Sequence, residues 1–294
     1  MILVAGLTPA WQQILSFRHF ELGEVNRAYR AVVCASGKVL NVGTALYHLG
    51  VDTQTICPAG GFTGKRIQAD FKQLGIPIQW IATQAPIRTC TTILDESTGK
   101  TTELVENSNP LTIDELAAYS SAFLEEARSA QVIVLTGSLP EGTPPTFFRQ
   151  LLEPISAKTV LDIRGQELLE ALSQRPFLVK PNREELAKTV NRKIDTESDL
   201  LDAMAEMRQR GAEWVVVSQG SATLLALGPD GLCRVEPPQI DVVNPIGCGD
   251  CLAAGIAAGI HQNVSMRQAL EIGVRAAAEN AQSLLPARNL TRLV

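Results

Sequence analysis

Short apolar runs rich in β-branched residues alternate along this chain with segments of helical period. The strand-like runs are residues 2–7, 132–135, 159–163, 177–179 and 214–217. Strands buried on both faces read as nearly continuous apolar runs, and their alternation with helices is typical of a parallel sheet. The pattern therefore predicts an α/β fold in which helices cover a mainly parallel central sheet.

Two sequence patterns mark the starts of helices. Thr112 is followed three residues later by Glu115, and Ser265 by Gln268, each ahead of an apolar stripe. In such a capping box each of the two side chains accepts a hydrogen bond from the backbone N–H of the other residue. Both helices are expected to pack one face on the sheet. A late helix is also predicted over residues 275–284.

Residues 10–32 and 86–107 depart from this rhythm, because they read as polar or period-2 strands. The second region is typical of a hairpin that turns at residues 97–100. We expect both regions to form a small β-sheet lid over the carboxyl edge of the parallel sheet, within one domain spanning residues 1–294. The exposed face of this lid is a candidate surface for a homodimer.

Composition excludes some classes of partner. Lys and Arg number 26 against 31 Asp and Glu, which gives a formal net charge of -5. Without a basic excess the chain has no general attraction for nucleic acid, so anionic ligands must be held locally.

The N-terminus lacks a basic leader and no run reaches about 18 apolar residues, so we expect a cytoplasmic protein with no membrane partner. The six cysteines show metal-ligand spacing only at Cys248 and Cys251, and we interpret them as reduced, buried thiols.

The most informative segment is DVVNPIGCGDCLAAGIAAGI, residues 241–260. Gly247, Cys248 and Gly249 lead into a small-residue helix that is predicted to begin near Asp250. Glycines allow consecutive backbone N–H groups to face one point at a helix N-terminus, where the peptide dipoles favour an anion. Asp250 has two interpretations. It is either the N-cap of the helix or a general base that takes the proton of an attacking hydroxyl.

Other segments place polar side chains beside predicted turns. Residues 36–41, SGKVLN, offer a glycine turn, a cation suited to phosphate and an amide suited to hydroxyls. Asn182 and Glu185 follow the strand-like residues 177–179 at the start of a helix. Their spacing suits a capping box, and it also suits joint binding of one hydrated cation. The glycine-containing segments at 58–64 and 135–142 are predicted to be loops at strand ends.

In their order along the chain these segments resemble the signatures of the pfkB family, the ribokinase-like carbohydrate kinases. Residues 241–260 resemble its Gly-Ala-Gly-Asp motif, residues 36–41 its sugar-binding motif and residues 180–186 its Asn-x-x-Glu motif. GEVNRAYR, RTCTTI, TTELVENSNPLT and GSLPEG resemble the 1-phosphofructokinase, 6-phosphofructokinase and tagatose-6-phosphate kinase branch. The resemblance implies a three-layer α/β/α core with a β-sheet lid. It also implies transfer of the γ-phosphate of ATP, with Mg²⁺, to a hydroxyl of a phosphorylated hexose.

The resemblance assigns roles to matching residues. Asp250 is implied as the catalytic base, with an anion hole at Gly247, Cys248 and Gly249 and with Lys38 steadying the transferred group. The implied ligands of the sugar phosphate are Gln12, Arg27, Gly37, Lys38, Asn41, Arg88 and Ser138. The implied ligands of the nucleotide are Lys180, Asn182, Glu185, Ser218, Gly220 and Asn280. Asn182 and Glu185 are also implied to hold Mg²⁺ through water.

Five positions depart from the family pattern, one of which is Val39 at the fourth position of the sugar-binding motif, where the family has Gly. Gln12 stands where the branch usually has Asp, and Cys248 replaces the usual Ala. Ser36 and Thr223 each replace a Gly. A carboxylate accepts from two hydroxyls whereas an amide both accepts and donates, so the preferred acceptor is expected to differ. Two alternatives therefore stay open: a kinase of an unphosphorylated sugar or nucleoside, and a catalytically silent protein that binds sugar phosphates.

Overall fold

The computed structural model describes residues 1–293, which form two β-sheets flanked by helices. The strands are β1 (Ile2–Ala5), β2 (Ala10–Phe17), β3 (Arg30–Ser36), β4 (Thr53–Gly60), β5 (Ile78–Thr83), β6 (Thr89–Asp95), β7 (Lys100–Val105), β8 (Val132–Thr136), β9 (Lys158–Asp162), β10 (Leu178–Val179), β11 (Trp214–Gln219), β12 (Ala222–Gly228) and β13 (Gly231–Val235). The helices are α1 (Lys38–His48), α2 (Gly61–Leu74), α3 (Ile113–Ala127), α4 (Phe147–Leu152), α5 (Gly165–Ala171), α6 (Arg183–Thr189), α7 (Glu197–Gln209), α8 (Cys248–His261) and α9 (Met266–Ala281).

The larger sheet is mainly parallel, as the apolar runs predicted. Its strand order is β13-β12-β11-β10-β9-β8-β1-β4-β5. The strands from β11 to β5 pair in parallel, and β12 and β13 add an antiparallel edge. The carboxyl ends of the parallel strands therefore meet at one edge of the sheet, where ligands of open α/β sheets bind.

The core has two halves, one on each face of this sheet. In β1, Ile2 and Val4 point into a cluster with α1, α2, α8 and α9, whereas Leu3 and Ala5 point into a cluster with α3 to α7. All four residues are fully buried. Because successive side chains of a strand face opposite sides, a strand covered on both faces must be apolar at every position. The predicted three-layer α/β/α arrangement is thus confirmed.

The smaller sheet, which we call the lid, has the order β3-β2-β6-β7. The predicted hairpin is confirmed, since β6 and β7 are antiparallel and are separated by residues 96–99. The predicted lid boundary at residue 32 was too early, because β3 pairs with β2 as far as Ser36. Residues 18–29 contain no strand. The Arg66 guanidinium lies 4.8 Å from the Trp11 ring centroid and links the lid to α2.

Helix starts were predicted more accurately than other boundaries. Thr112 and Ser265 both form the predicted capping boxes. Residues 58–64 were predicted to be a loop, but β4 continues through Gly60 and α2 begins at the next residue. The late helix was placed too far along the chain, since α9 runs from Met266 to Ala281 without interruption. Within residues 1–293 no helix is both long enough and apolar enough to cross a membrane.

Candidate active site

A cavity of about 400 Å³ lies between the lid and the carboxyl edge of the larger sheet. Lid strands, the loops after β8, β9 and β10, and the starts of α1 and α8 all contribute to its walls. The sequence-predicted residues that line it are Gln12, Gly37, Lys38, Asn41, Arg88, Ser138, Lys180, Asn182, Glu185, Ser218, Gly247, Gly249 and Asp250. Most of the residues selected from separate segments thus meet at one cavity.

The start of α8 is shaped by a glycine. Gly247 is the N-cap with φ 84, and a Cβ there would lie 2.8 Å from Pro286, so this position requires glycine. Among the described residues 1–293 no side chain caps the helix. Asp250 is the third helical residue, because α8 begins at Cys248, two residues before Asp250. The interpretation of Asp250 as the N-cap is therefore wrong.

Asp250 is buried and held by a short chain of hydrogen bonds. Asn41 Nδ2 donates to Asp250 Oδ2 at 2.7 Å, and Ser36 Oγ donates to Asn41 Oδ1 at 3.0 Å. The bond from Ser36 fixes which end of the Asn41 amide faces the carboxylate. Burial raises the pKa of Asp250, the charge of Asp162 raises it further, and Lys38 and Asn41 oppose the rise. A buried carboxylate with a raised pKa has the character of a general base.

Two lysines converge on one buried carboxylate beside Asp250. Lys38 Nζ lies 3.0 Å from Asp162 Oδ1, and Lys180 Nζ lies 3.2 Å from the same atom. Burial alone would raise the pKa of Asp162, but Lys180 and Lys38 outweigh it and lower that pKa. Burial alone would lower the pKa of Lys38, but Asp162, Glu185 and Asp250 outweigh it and raise that pKa. Lys38 is thus held in its charged form, and both lysines pair with the Asp162 carboxylate.

Asn182 and Glu185 form the predicted capping box at the start of α6. Asn182 Oδ1 accepts from Glu185 N at 2.7 Å, and Glu185 Oε2 accepts from Asn182 N at 3.0 Å. Glu185 Oε1 lies 3.5 Å from Lys38 Nζ. The oxygens of both side chains therefore already have partners, although both residues line the cavity. Within residues 1–293 no cluster of three or more His, Cys, Asp or Glu residues could enclose a metal ion.

The lid contributes an amide and a carboxylate to the cavity. Gln12 is buried, and its Nε2 donates to Thr92 Oγ1 at 2.7 Å. Thr92 pairs across the ladder with Glu103, which also lines the cavity. Although Glu103 is exposed as a residue, burial of its carboxyl group raises its pKa, and Asp250 raises that pKa further. Although Gln12 stands where the family usually has Asp, the same wall of the cavity still carries a carboxylate, that of Glu103.

Four predicted residues do not line the cavity. Arg27 is exposed between β2 and β3, beyond the lid end that is remote from Gly37. Gly220 is exposed in the turn between β11 and β12. The Cys248 backbone N–H donates to Pro245 O at 3.2 Å, so it is not free for an anion.

Asn280 is the fourth of these residues and lies behind the glycine turn. It is 1% exposed, so it is not on the outer surface of the helix, and it is not among the residues that line the cavity. Its Nδ2 donates to Ile246 O at 2.9 Å and contacts Cys248 Sγ at 3.3 Å, and its Oδ1 accepts from Ala287 N at 2.7 Å. Asn280 thus supports the turn that leads to Asp250 and does not reach the cavity.

Sequence reasoning missed three charged residues of the cavity: Glu103, Asp162 and Arg164. Asp162 is the last residue of β9, and Arg164 follows it by two residues. A polar residue just after an apolar parallel strand lies at the ligand-binding edge of the sheet, so position alone could have identified both. Glu103 carries no such signal, because a charged residue in a polar strand is usually solvated.

Known proteins share this sequence and this fold. A sequence profile described as pfkB family carbohydrate kinase matches residues 6–291. Tagatose-6-phosphate kinase of Staphylococcus epidermidis is 32% identical over 269 residues, which cover 89% of this chain and 86% of that protein. 1-Phosphofructokinase of Bacillus subtilis is 29% identical over 310 residues, which cover 100% of both chains. Phosphofructokinase-2 of Escherichia coli, solved in complex with substrates and products, is 26% identical with a TM-score of 0.89, covering 98% of this chain and 95% of that one.

Proposed function

This chain belongs to the pfkB family of carbohydrate kinases, and we propose that it transfers the γ-phosphoryl group of ATP to a hydroxyl of a phosphorylated hexose. The proposal for the acceptor rests on the relatives named tagatose-6-phosphate kinase and 1-phosphofructokinase. We propose likewise that the larger sheet and the lid act as one kinase domain over residues 1–294.

The observation that carries the proposal is the placement of Asp250. Its carboxylate is buried at the first turn of α8, oriented by Asn41, and it lines a cavity with room for a sugar. We assign it the removal of the proton from the attacking hydroxyl. The uncapped N-terminus of α8, at Gly247 and Gly249, faces the charge that develops on the transferred group. Lys38 supplies a further positive charge beside it.

The residues present fit Mg²⁺ as a partner of the nucleotide. Mg²⁺ keeps several waters and uses one or two carboxylates together with substrate phosphates, so it needs no protein cage. Asn182 and Glu185 line the cavity with oxygens committed to the capping box, which suits contact through water. When bound, Mg²⁺ neutralises phosphate charge. We propose that Lys180 and Ser218, at the same side of the cavity, bind nucleotide phosphates.

The sugar phosphate is assigned to the opposite side of the cavity. Gly37 has φ 92, and a Cβ there would lie 2.9 Å from Ala10 N, so only glycine permits this close approach of lid and helix. Arg88, Ser138 and Gln12 line the same region and offer donors to phosphate and hydroxyls.

The direct test is an ADP-release assay with phosphorylated hexoses, ribose and nucleosides as acceptors. We expect turnover with at least one phosphorylated hexose. Asp250→Asn should lower kcat by about 10²- to 10⁴-fold while ATP still binds, because only the proton acceptor is lost. Asp241→Asn, the same change at an exposed position in the same segment, is the matched control.

Each alternative predicts a different result in this assay. Turnover only with unphosphorylated acceptors would support the first alternative. No turnover with any acceptor, with ligand-induced thermal shifts retained, would support the silent binding protein. A near wild-type rate for Asp250→Asn would refute the assignment of the base.

We also propose a homodimer through the lid. Exposed apolar side chains occur at Leu104 of β7, at 56% exposure, and in the loop that joins β2 to β3, at Leu22 with 92% and Val25 with 87%. Leu104 alternates with the cavity-lining Val105, so it faces away from the cavity.

Arg27 is retained as a phosphate ligand only for the assembled dimer, because it does not line the cavity of its own chain. Light scattering should show a monomer for Leu104→Glu and a dimer for the helix-surface control Leu124→Glu; a monomeric wild type contradicts the proposal.

A further inference from the structure

The cations of the cavity differ in how much of their hydrogen-bonding capacity is already used. Among residues 1–293 four cationic residues line it: Lys38, Arg88, Lys180 and Arg164. Lys38 and Lys180 share Asp162, at 3.0 and 3.2 Å, and Lys38 also faces Glu185 at 3.5 Å. Both lysines therefore bind a phosphate only in competition with carboxylates.

Arg88 is committed to the backbone of the lid and its neighbouring loop. Its Nε donates to Pro9 O at 3.4 Å, its Nη1 to Glu106 O at 3.3 Å and its Nη2 to Thr8 O at 3.1 Å. Each guanidinium nitrogen thus already has a carbonyl partner. Of its five N–H donors only two, one on each Nη, remain for a phosphate.

Arg164 differs from the two lysines and from Arg88 in its hydrogen-bond partners. Within residues 1–293 its side chain makes no hydrogen bond, ion pair or ring contact, although it lines the cavity. Its backbone is extended, and it immediately precedes α5. The whole guanidinium fork is therefore available to a ligand. A planar fork with all of its donors free suits bidentate binding of a phosphate.

We propose that Arg164 is a phosphate-binding residue of this kinase, and the proposal rests on the function proposed above. Arg164 follows β9, which lies between β8 and β10 in the sheet. Ser138 follows β8 on the side assigned to the sugar phosphate, and Lys180 and Asn182 follow β10 on the side assigned to the nucleotide. The bound group is thus a phosphate either of the sugar or of ATP.

The test compares Arg164→Gln and Arg164→Lys with the wild type. Arg128→Gln is the matched control, because Arg128 is also exposed and its side chain also lacks a polar partner within residues 1–293, but it lies outside this cavity. We expect Arg164→Gln to raise one KM by about 10- to 100-fold, the usual loss for a charge-assisted pair. Arg164→Lys should recover part of this loss, because it restores the charge but not the fork. A rise confined to the KM of the sugar assigns the sugar phosphate, and a rise confined to the KM of ATP assigns the nucleotide.

A second readout separates this inference from the proposed function. Binding of ATP and of inorganic phosphate, each with Mg²⁺, is measured by calorimetry, which needs no turnover. Weaker binding by Arg164→Gln than by Arg128→Gln would support the inference even if no acceptor were phosphorylated. Unchanged KM values together with unchanged calorimetric affinities would overturn it, whatever the wild-type enzyme phosphorylates.

Discussion

The replacement of Asp162 by Asn tests the charge network beneath the cavity. Asp162 and Lys180 have side chains that are 1% and 3% exposed, and Asp162 is the only carboxylate in salt-bridge contact with Lys180 among residues 1–293. Removing one partner of a buried pair leaves an uncompensated charge and typically costs about 3–5 kcal/mol. Lys38 adds little to this cost, since its side chain is 34% exposed and keeps Glu185 at 3.5 Å. We therefore expect Asp162→Asn to lower the free energy of unfolding by roughly 3 kcal/mol, the lower end of that range.

Urea titration followed by tryptophan fluorescence measures this loss, provided that the slope of the transition is unchanged. The double variant Asp162→Asn with Lys180→Met is the control, because it removes both charges and leaves no uncompensated charge in the buried pair. It should be more stable than Asp162→Asn alone. A single variant within about 1 kcal/mol of wild type, or a double variant less stable than the single, would refute the reasoning.

The pH dependence of this loss follows from the same pair. The two lysines lower the pKa of folded Asp162, so the pair stabilises the protein above the unfolded pKa of about 4. That stabilisation is lost as pH falls through the lower, folded pKa. The stability difference between wild type and Asp162→Asn should thus be constant near neutrality and shrink in acid. A difference that widens in acid contradicts this assignment.

Four further predictions concern Asp250 and the residues that support it. Because the pKa of Asp250 is raised, the acidic limb of the kcat/KM profile should lie above the ordinary Asp pKa of about 4; a limb at or below it contradicts the assignment. Its raised pKa also means that the ionised form costs stability, so Asp250→Asn should unfold at a higher temperature than wild type near pH 7, with the gap closing in acid. Ser36→Ala frees the Asn41 amide to rotate and should lower kcat/KM by about fivefold, as for one lost hydrogen bond, without changing the KM for ATP. Asn280→Ala leaves Ile246 O and Ala287 N unpaired and should cost about 2–4 kcal/mol of stability in urea titration, whereas the exposed Asn107→Ala should cost almost nothing.

Local patterns predicted those parts of the site that depend on a few neighbouring residues. Gly247 and Gly37 both have positive φ and a close neighbour where a Cβ would lie, and such requirements are visible in the sequence itself. The capping boxes at Thr112, Asn182 and Ser265 likewise form within four consecutive residues. These features therefore carried over from sequence to structure with little error.

The parts that sequence could not supply depend on which strands are neighbours. Lys38 and Asp162 are 124 residues apart, and they meet only because β9 and the start of α1 reach the same edge of the sheet. The prediction for Asn280 rested on its position in a helix alone. Its side chain is buried because it bonds to the turn at Ile246 and to the segment at Ala287. Arg27 was placed in the cavity because the lid was expected there, and the pairing of β2 with β3 shows that its segment lies at the remote end.

The charge balance of the cavity decides how a phosphorylated substrate can be held. The cations Lys38, Arg88, Arg164 and Lys180 are balanced by four carboxylates, those of Glu103, Asp162, Glu185 and Asp250. A substrate that carries several negative charges therefore gains nothing from net charge. Its affinity must come from directed donors, chiefly the first turn of α8 and the free fork of Arg164, and from the Mg²⁺ that accompanies ATP. The same balance lets Asp250 stay buried near neutrality with a raised pKa, because a strongly cationic cavity would lower that pKa and weaken the base.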